Sequence, residues 1–172
     1  MPSLPILSRS QLVLRVVILL GPVVAVLATG PAGNWPPVWI AAGVVALSVA
    51  AALAPDAPYG AGAGLAVVAW WAIALGEVVP ASVIVAAVAL VLAHVAGVLA
   101  SYGPPTMPVD AGITRLWVRR GALVLLTVPA AFALARVLRG EPEQPGIWIL
   151  GVAAAFVATV AATVGLAVER KA

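Results

Sequence analysis

The chain has 172 residues, of which 64% are hydrophobic and only 9% are charged, and its formal net charge is +3. A soluble domain carries about 25% charged residues, so this composition excludes a water-facing globular domain and predicts an all-α, polytopic integral membrane protein. The chain has no cysteine, which excludes disulfides and thiolate chemistry. Its basic residues lie at the ends of apolar runs, which indicates membrane orientation and not nucleic-acid binding.

Apolar runs of helical length follow one another along the chain, separated by segments rich in proline and glycine. At about 20 residues per span, the chain accommodates about six transmembrane helices within a single membrane domain, residues 1–172. The predicted spans are residues 12–28, 38–54, 61–75, 81–100, 121–138 and 147–168.

Two features leave the number of spans open. The tripeptide that ends at Ala28 satisfies the small-residue rule for signal cleavage, and cleavage there would leave five spans with the new N-terminus outside. Arg15 and Pro22 argue against it, because they make a poor signal core. The third helix is short and rich in glycine at its start, so a re-entrant segment is the alternative to a full span.

The distribution of basic residues predicts that both termini lie in the cytoplasm. Inside segments would then carry most of the positive charge, at Arg9, Arg15, Arg115, Arg119, Arg120, Arg170 and Lys171. The outside would carry only Arg136 and Arg139, which stand next to acidic residues. The dominance of Ala, Val, Gly and Pro, and the excess of Arg over Lys, suggest a high-GC bacterial genome, so we expect the bacterial plasma (inner) membrane.

The longest polar break is the predicted cytoplasmic loop, residues 101–120. Its first part contains Pro104, Pro105 and Pro108, which exclude a helix and predict a stiff spacer. Asp110 is a good N-cap, and an interfacial helix over about residues 110–120 is predicted after it.

This interfacial helix separates apolar from basic side chains. Ile113, Leu116 and Trp117 fall on one face, and Arg115 and Arg119 lie away from it. The candidate contacts with anionic lipid headgroups of the bilayer, or with a protein partner docking on loop 101–120, are Arg115, Trp117, Arg119 and Arg120.

Glu77 and His94 are the only ionisable residues within residues 60–100. If the third helix ends near Leu75, Glu77 lies among the outer headgroups, an interpretation that the turn-forming Gly76 and Pro80 favour. If the helix continues, Glu77 lies inside the bilayer with Trp70 two turns earlier on the same face, which is a candidate cation site.

His94 is the only histidine of the chain, and it falls in the inner half of the predicted fourth span. One interpretation is a neutral imidazole that hydrogen-bonds a carbonyl or a hydroxyl within the bundle, which the absence of acidic neighbours in sequence favours. The other is a group that relays protons.

No sequence motif of a hydrolase, nucleotide-binding or zinc enzyme is present, so no enzymatic activity, cofactor or metal is expected. We expect a small integral membrane protein without its own catalytic site, acting as an accessory, scaffold or assembly subunit of a membrane complex. The alternative is a small cation- or proton-coupled transporter or channel that uses Glu77 with Trp70, or His94. Small-residue faces such as Gly60 with Gly64 predict close helix packing, either within the bundle or in a homo-oligomer.

Overall fold

The helices begin and end at capping residues and at segments rich in proline and glycine. The computed structural model describes residues 7–75 and 80–137, and this part of the chain contains α-helices, one 3-10 turn and no strand. The helices are α1 Arg9–Leu27, α2 Val38–Leu53, α3 Tyr59–Leu75, α4 Ser82–Ser101 and α5 Ala111–Val137. The all-α prediction is confirmed for these residues. The predicted sixth helix, residues 147–168, lies outside them, as does Glu77.

The two ends of α1 show how the sequence sets a helix boundary. At its start, the backbone N–H of Gln11 donates to the hydroxyl of Ser8 at 3.3 Å, so Ser8 is the N-cap. Pro22 lies inside the helix and is tolerated there, as it is in membrane helices whose neighbours satisfy the freed carbonyl. Beyond Leu27, a 3-10 turn ends at Gly33, whose φ of 87° is a conformation that residues with a Cβ rarely adopt.

α5 differs from the sequence prediction. The interfacial helix over about 110–120 and the span over 121–138 are one unbroken helix, Ala111–Val137. The N–H of Ile113 donates to the carboxylate of Asp110 at 2.9 Å, which confirms Asp110 as the cap. Gly121 does not interrupt the helix, because it is buried against α4, where a Cβ would come within 3.0 Å of Val95.

α1 is the central helix of this unit and packs against α2, α3 and α4, whereas α5 packs mainly against α4. Successive helices alternate in direction, so the starts of α1, α3 and α5 lie at one end of the bundle with the last residues of α2 and α4. We call this the N-terminal end. The buried side chains are mostly small, including Ala25, Ala51, Ala86, Ala89 and Ala96. Small side chains let helices approach closely, which is how membrane helices associate.

α1 and α4 pack closely against each other at Gly21. A Cβ on Gly21 would lie 2.6 Å from the Cβ of Ala93 and 2.7 Å from the carbonyl oxygen of Ala89. The carbonyl belongs to a helix backbone and cannot move aside, so only glycine fits at this position.

Large apolar side chains cover the outside of the bundle, for example Leu65 at 71% exposure, Leu126 at 69% and Ile73 at 77%. The helical segments long and apolar enough to cross a membrane are Arg9–Ala32, Ser82–Ser101 and Ala111–Val137, while α2 and α3 are apolar but shorter. Water would solvate such a surface poorly, so the described residues indicate a membrane protein.

Replacing glycine with alanine at Gly21 and at Gly43 should have opposite effects on stability. Gly21→Ala places a Cβ against the backbone of α4, and we expect a loss of about 1–3 kcal/mol of unfolding free energy from overpacking. Gly43→Ala is the matched control, because no atom lies within 4 Å of a Cβ built there. It should leave stability unchanged or raise it by up to about 1 kcal/mol. Reversible unfolding in detergent micelles measures both, and equal effects would contradict the crossing.

Candidate functional site

A groove opens between α3 and α4, with α1 as its floor. Its volume is about 460 Å³. α1 contributes Ile18 and Pro22, and the turn between α2 and α3 closes one end. The remaining lining residues come from α2, from that turn and from the two walls: Ala51, Pro55, Asp56, Ala57, Pro58, Gly60, Ala61, Gly64, Val68, Leu90, Ala93, His94, Gly97, Val98 and Ser101.

The α3–α4 groove exists because its two walls carry small residues and hardly touch each other. Gly60 and Gly64 lie one turn apart on α3, and Gly97 lies on α4. Within residues 7–75 and 80–137, a Cβ built on Gly64 or Gly97 would meet nothing within 4 Å, in contrast to Gly21. Gly64 and Gly97 therefore leave open space in the groove, whereas Gly21 allows the backbones of α1 and α4 to come into contact.

The structure places His94 in the wall of the α3–α4 groove, with an exposed side chain. It precedes the end of α4 at Ser101 by seven residues, about 10 Å along the helix axis. The same groove contains the carboxylate-bearing Asp56, which lies in the turn between α2 and α3. His94 and Asp56 are thus brought to one groove, while Glu77 lies outside the described residues.

Trp70 and Trp71 attach the last turn of α3 to the last turn of α1. The indole N–H of Trp70 donates to the hydroxyl of Thr29 at 3.1 Å, and that of Trp71 donates to the carbonyl of Ala25 at 2.9 Å. Thr29 is fully buried and donates in turn to the carbonyl of Val26 at 2.9 Å. These carbonyls belong to the last turn of a helix, where no backbone donor follows, and a protein surrounded by lipid must satisfy them internally.

Trp70 was considered in the sequence only as the aromatic half of a cation site with Glu77. Its N–H is instead occupied by Thr29, and its ring packs beside the buried cluster that includes Val26 and Val67. Two adjacent tryptophans in the middle of an apolar run could have signalled this role, because a buried indole N–H needs an acceptor. The acceptor could not be chosen without knowing which helix end lies opposite.

Arg15 has a structural role that the sequence pattern did not reveal, since it was interpreted there as an orientation charge and as an argument against signal cleavage. Its guanidinium donates from Nη1 to the backbone carbonyls of Ala52 and Leu53, the latter at 3.1 Å. These are the last residues of α2, where carbonyls are unpaired and the helix dipole is negative. Arg15 therefore caps α2 from the neighbouring helix.

Loop 101–110 is fastened to the start of α1. The N–H of Ser8 donates to the carbonyl of Pro105 at 3.1 Å, and its hydroxyl donates to that of Met107 at 3.1 Å. The N–H of Val109 donates to the hydroxyl of Ser10 at 3.3 Å. The prolines stiffen the loop as expected, but the two serines hold it in place.

The arginine cluster, defined as Arg115, Arg119 and Arg120, extends from this loop along the first turns of α5. Arg115 and Arg119 are exposed, and the guanidinium of Arg120 stacks 5.4 Å from the ring of Trp117. The same ring lies 6.3 Å from that of Tyr102, at the other end of the loop. Trp117 therefore joins loop 101–110 to the arginine cluster, and these residues form one surface.

Within residues 7–75 and 80–137, no group of three or more metal-ligating side chains lies together. The α3–α4 groove offers hydrogen-bonding and charged groups, and the arginine cluster offers guanidinium groups that can recognise anions. Comparison of the chain with protein-family models, curated proteins and solved structures finds no match.

The hydrogen bond between Trp70 and Thr29 should behave as a coupled pair. Trp70→Phe and Thr29→Val each remove it, and we expect each to lower the unfolding free energy by about 0.5–1.5 kcal/mol. The double variant should lose less than the sum, because the second change removes a bond that is already absent. Trp39→Phe is the control, since Trp39 is 72% exposed. Additive losses in detergent unfolding would show that the bond does not contribute.

Proposed function

We propose that this chain is a small integral membrane protein without a catalytic centre of its own, which acts as an accessory, scaffold or assembly subunit of a complex in the bacterial plasma membrane. The three long apolar segments support the membrane assignment. The observation that carries the proposal is the exposed arginine cluster, held beside loop 101–110 at the start of a helix that packs mainly on α4. This is a preformed polar surface on an otherwise apolar bundle.

The proposal includes six spans with both termini in the cytoplasm. Arg9, Arg15 and the arginine cluster lie at the N-terminal end of the bundle, and among the described residues the opposite end carries only Arg136. An excess of basic residues on one side is the signal that orients membrane proteins, so the N-terminal end is the cytoplasmic one.

The arginine cluster is suited to an acidic cytoplasmic segment of a partner protein. Exposed guanidinium groups form bidentate hydrogen bonds with carboxylates. Loop 101–110, which precedes the three arginines in the chain, is held in place by hydrogen bonds to Ser8 and Ser10 at the start of α1. Anionic lipid headgroups offer similar chemistry, and each arginine near the membrane surface gains about 1 kcal/mol from them. Orientation and docking are therefore separable roles of the same cluster.

Replacing all three arginines of the cluster with glutamine tests both roles. If the cluster docks a partner, the variant keeps its topology but is lost from the complex, since the acidic segment loses its counter-charges.

The chain has no cysteine, so single cysteine reporters such as Thr106→Cys and Pro31→Cys map the topology without background labelling. An impermeant maleimide should reach Pro31→Cys in intact cells and Thr106→Cys only after the membrane is opened.

The matched control is Arg136→Gln, which removes an arginine from the opposite end of α5. It should leave both the reporters and the size of the complex unchanged on native gels. If the triple variant inverts the reporters, the cluster serves as an orientation signal. If it changes neither readout, the docking proposal is wrong.

We also propose a second candidate function, a small cation- or proton-coupled transporter or channel. The observation that favours it is the presence of His94 in the wall of a groove of about 460 Å³. An ionisable group that lines a cavity at membrane depth is a candidate for proton or cation transfer. Glu77 with Trp70 is the other site of this proposal, and Thr29 holds the indole of Trp70 in a fixed orientation.

Flux measurements in proteoliposomes test the second function. If His94 or Glu77 carries the ion, His94→Ala or Glu77→Gln should abolish a pH- or cation-dependent flux seen with the native chain, because each removes the group proposed to carry the ion. Arg136→Gln, at the end of α5 and outside the groove, is the control and should conduct like the native chain. Flux that persists in both single variants would eliminate these residues as the site.

A further inference from the structure

The α3–α4 groove is elongated along the helix axes. On α4 its lining runs from Leu90 to Ser101, about 16 Å at the rise of an α-helix. On α3 it runs from Gly60 to Val68, about 12 Å. A groove in this direction is parallel to the acyl chains of a bilayer that the helices cross.

Polarity changes along the groove in one direction. Asp56 and Ser101 lie at the N-terminal end of the bundle. His94 precedes Ser101 in the chain and lies two turns of α4 away from that end. Beyond His94 the walls and floor are apolar, with Pro22, Val68 and Leu90. A ligand that matches this gradient has a polar head at the N-terminal end of the bundle and an apolar chain that points towards the middle of the membrane.

Two glycines widen the part of the groove between its mouth and His94, which leads into the apolar part. Glycine inside a helix is less favourable than alanine, so a glycine with no neighbouring helix against it needs another reason. Gly64 and Gly97 both line the groove, and among the described residues no atom lies within 4 Å of a Cβ built on either. Their missing side chains leave the width that an acyl chain requires.

The charge at the mouth of the groove selects the headgroup. Asp56 is exposed there, and its carboxylate attracts an ammonium group and repels a net anionic headgroup. The arginine cluster, which would attract anionic lipid, lies on α5, and α5 packs on a different face of α4, at Val91 and Val95. The groove and the arginine cluster therefore attract opposite charges.

We propose that the α3–α4 groove binds one acyl chain of a membrane lipid with an ammonium headgroup, and that Asp56 pairs with the ammonium. The lipid lies along α3 and α4 with its chain against Gly64 and Gly97. This site needs neither the docking role of the arginine cluster nor ion transport, so its test is independent of both proposed functions.

Native mass spectrometry of the purified full chain tests the site with two lipids of identical acyl chains, one with an ethanolamine and one with a glycerol headgroup. The native chain should retain one ethanolamine lipid in preference to the glycerol lipid. Gly97→Leu and Gly64→Leu should each weaken retention by about tenfold, because the new side chain occupies the space of several methylenes. Gly43→Leu adds the same side chain outside the groove and should retain lipid like the native chain.

Asp56→Asn provides a second variant on an exposed turn, where folding is not at risk. This variant should still bind lipid through its acyl chain, but its preference for the ethanolamine headgroup over the glycerol headgroup should fall by about two- to fivefold. That factor corresponds to the free energy of an exposed ion pair. The proposal is overturned if Gly97→Leu and Gly64→Leu retain lipid like the native chain, or if Asp56→Asn leaves the headgroup preference unchanged. It is also overturned if filling the groove dissociates a dimer, because a second copy would then be the occupant.

Discussion

The crossing of α1 and α4 at Gly21 is the contact on which the rest of the described structure depends. Lipid supplies no hydrophobic drive between helices, so their association depends on close packing and on hydrogen bonds between them. Gly21 brings the backbones together where a Cβ would lie 2.7 Å from the carbonyl of Ala89. With α4 on one side, α1 has its remaining faces free for α2 and α3, and it becomes the central helix.

Polar side chains then satisfy the backbone groups that the helix ends leave unpaired. Arg15 reaches the last carbonyls of α2, Trp71 reaches the carbonyl of Ala25, and Ser8 holds the loop that follows α4. Each of these bonds joins two different helices or a helix and a loop, so each depends on α1 being central. The same attachments fix the two candidate surfaces, because loop 101–110 leads directly into the arginine cluster on α5 and α1 forms the floor of the groove.

Much of the helical architecture could be predicted from particular residues. The first four helices begin and end within three residues of the predicted segments, because apolar runs end at Gly33, Pro55 and similar breaks. α5 was divided in the prediction because Gly121 and the arginines before it resemble a boundary, whereas Gly121 is a packing contact with Val95. The roles of Trp70 and Arg15 could not be predicted, since their acceptors lie 41 and 38 residues away in sequence.

By itself, the sequence determined that this chain forms apolar helices, where most of them begin and end, and that positive charge collects at one end of the bundle. Hydropathy, caps and proline are local properties, so they can be read without knowing the neighbours. Only the tertiary structure decided what each glycine does. Gly21 and Gly97 both lie inside apolar helices, yet one faces a helix backbone at contact distance and the other faces an open groove. The difference depends on which helix lies opposite, and that is a property of the packed bundle.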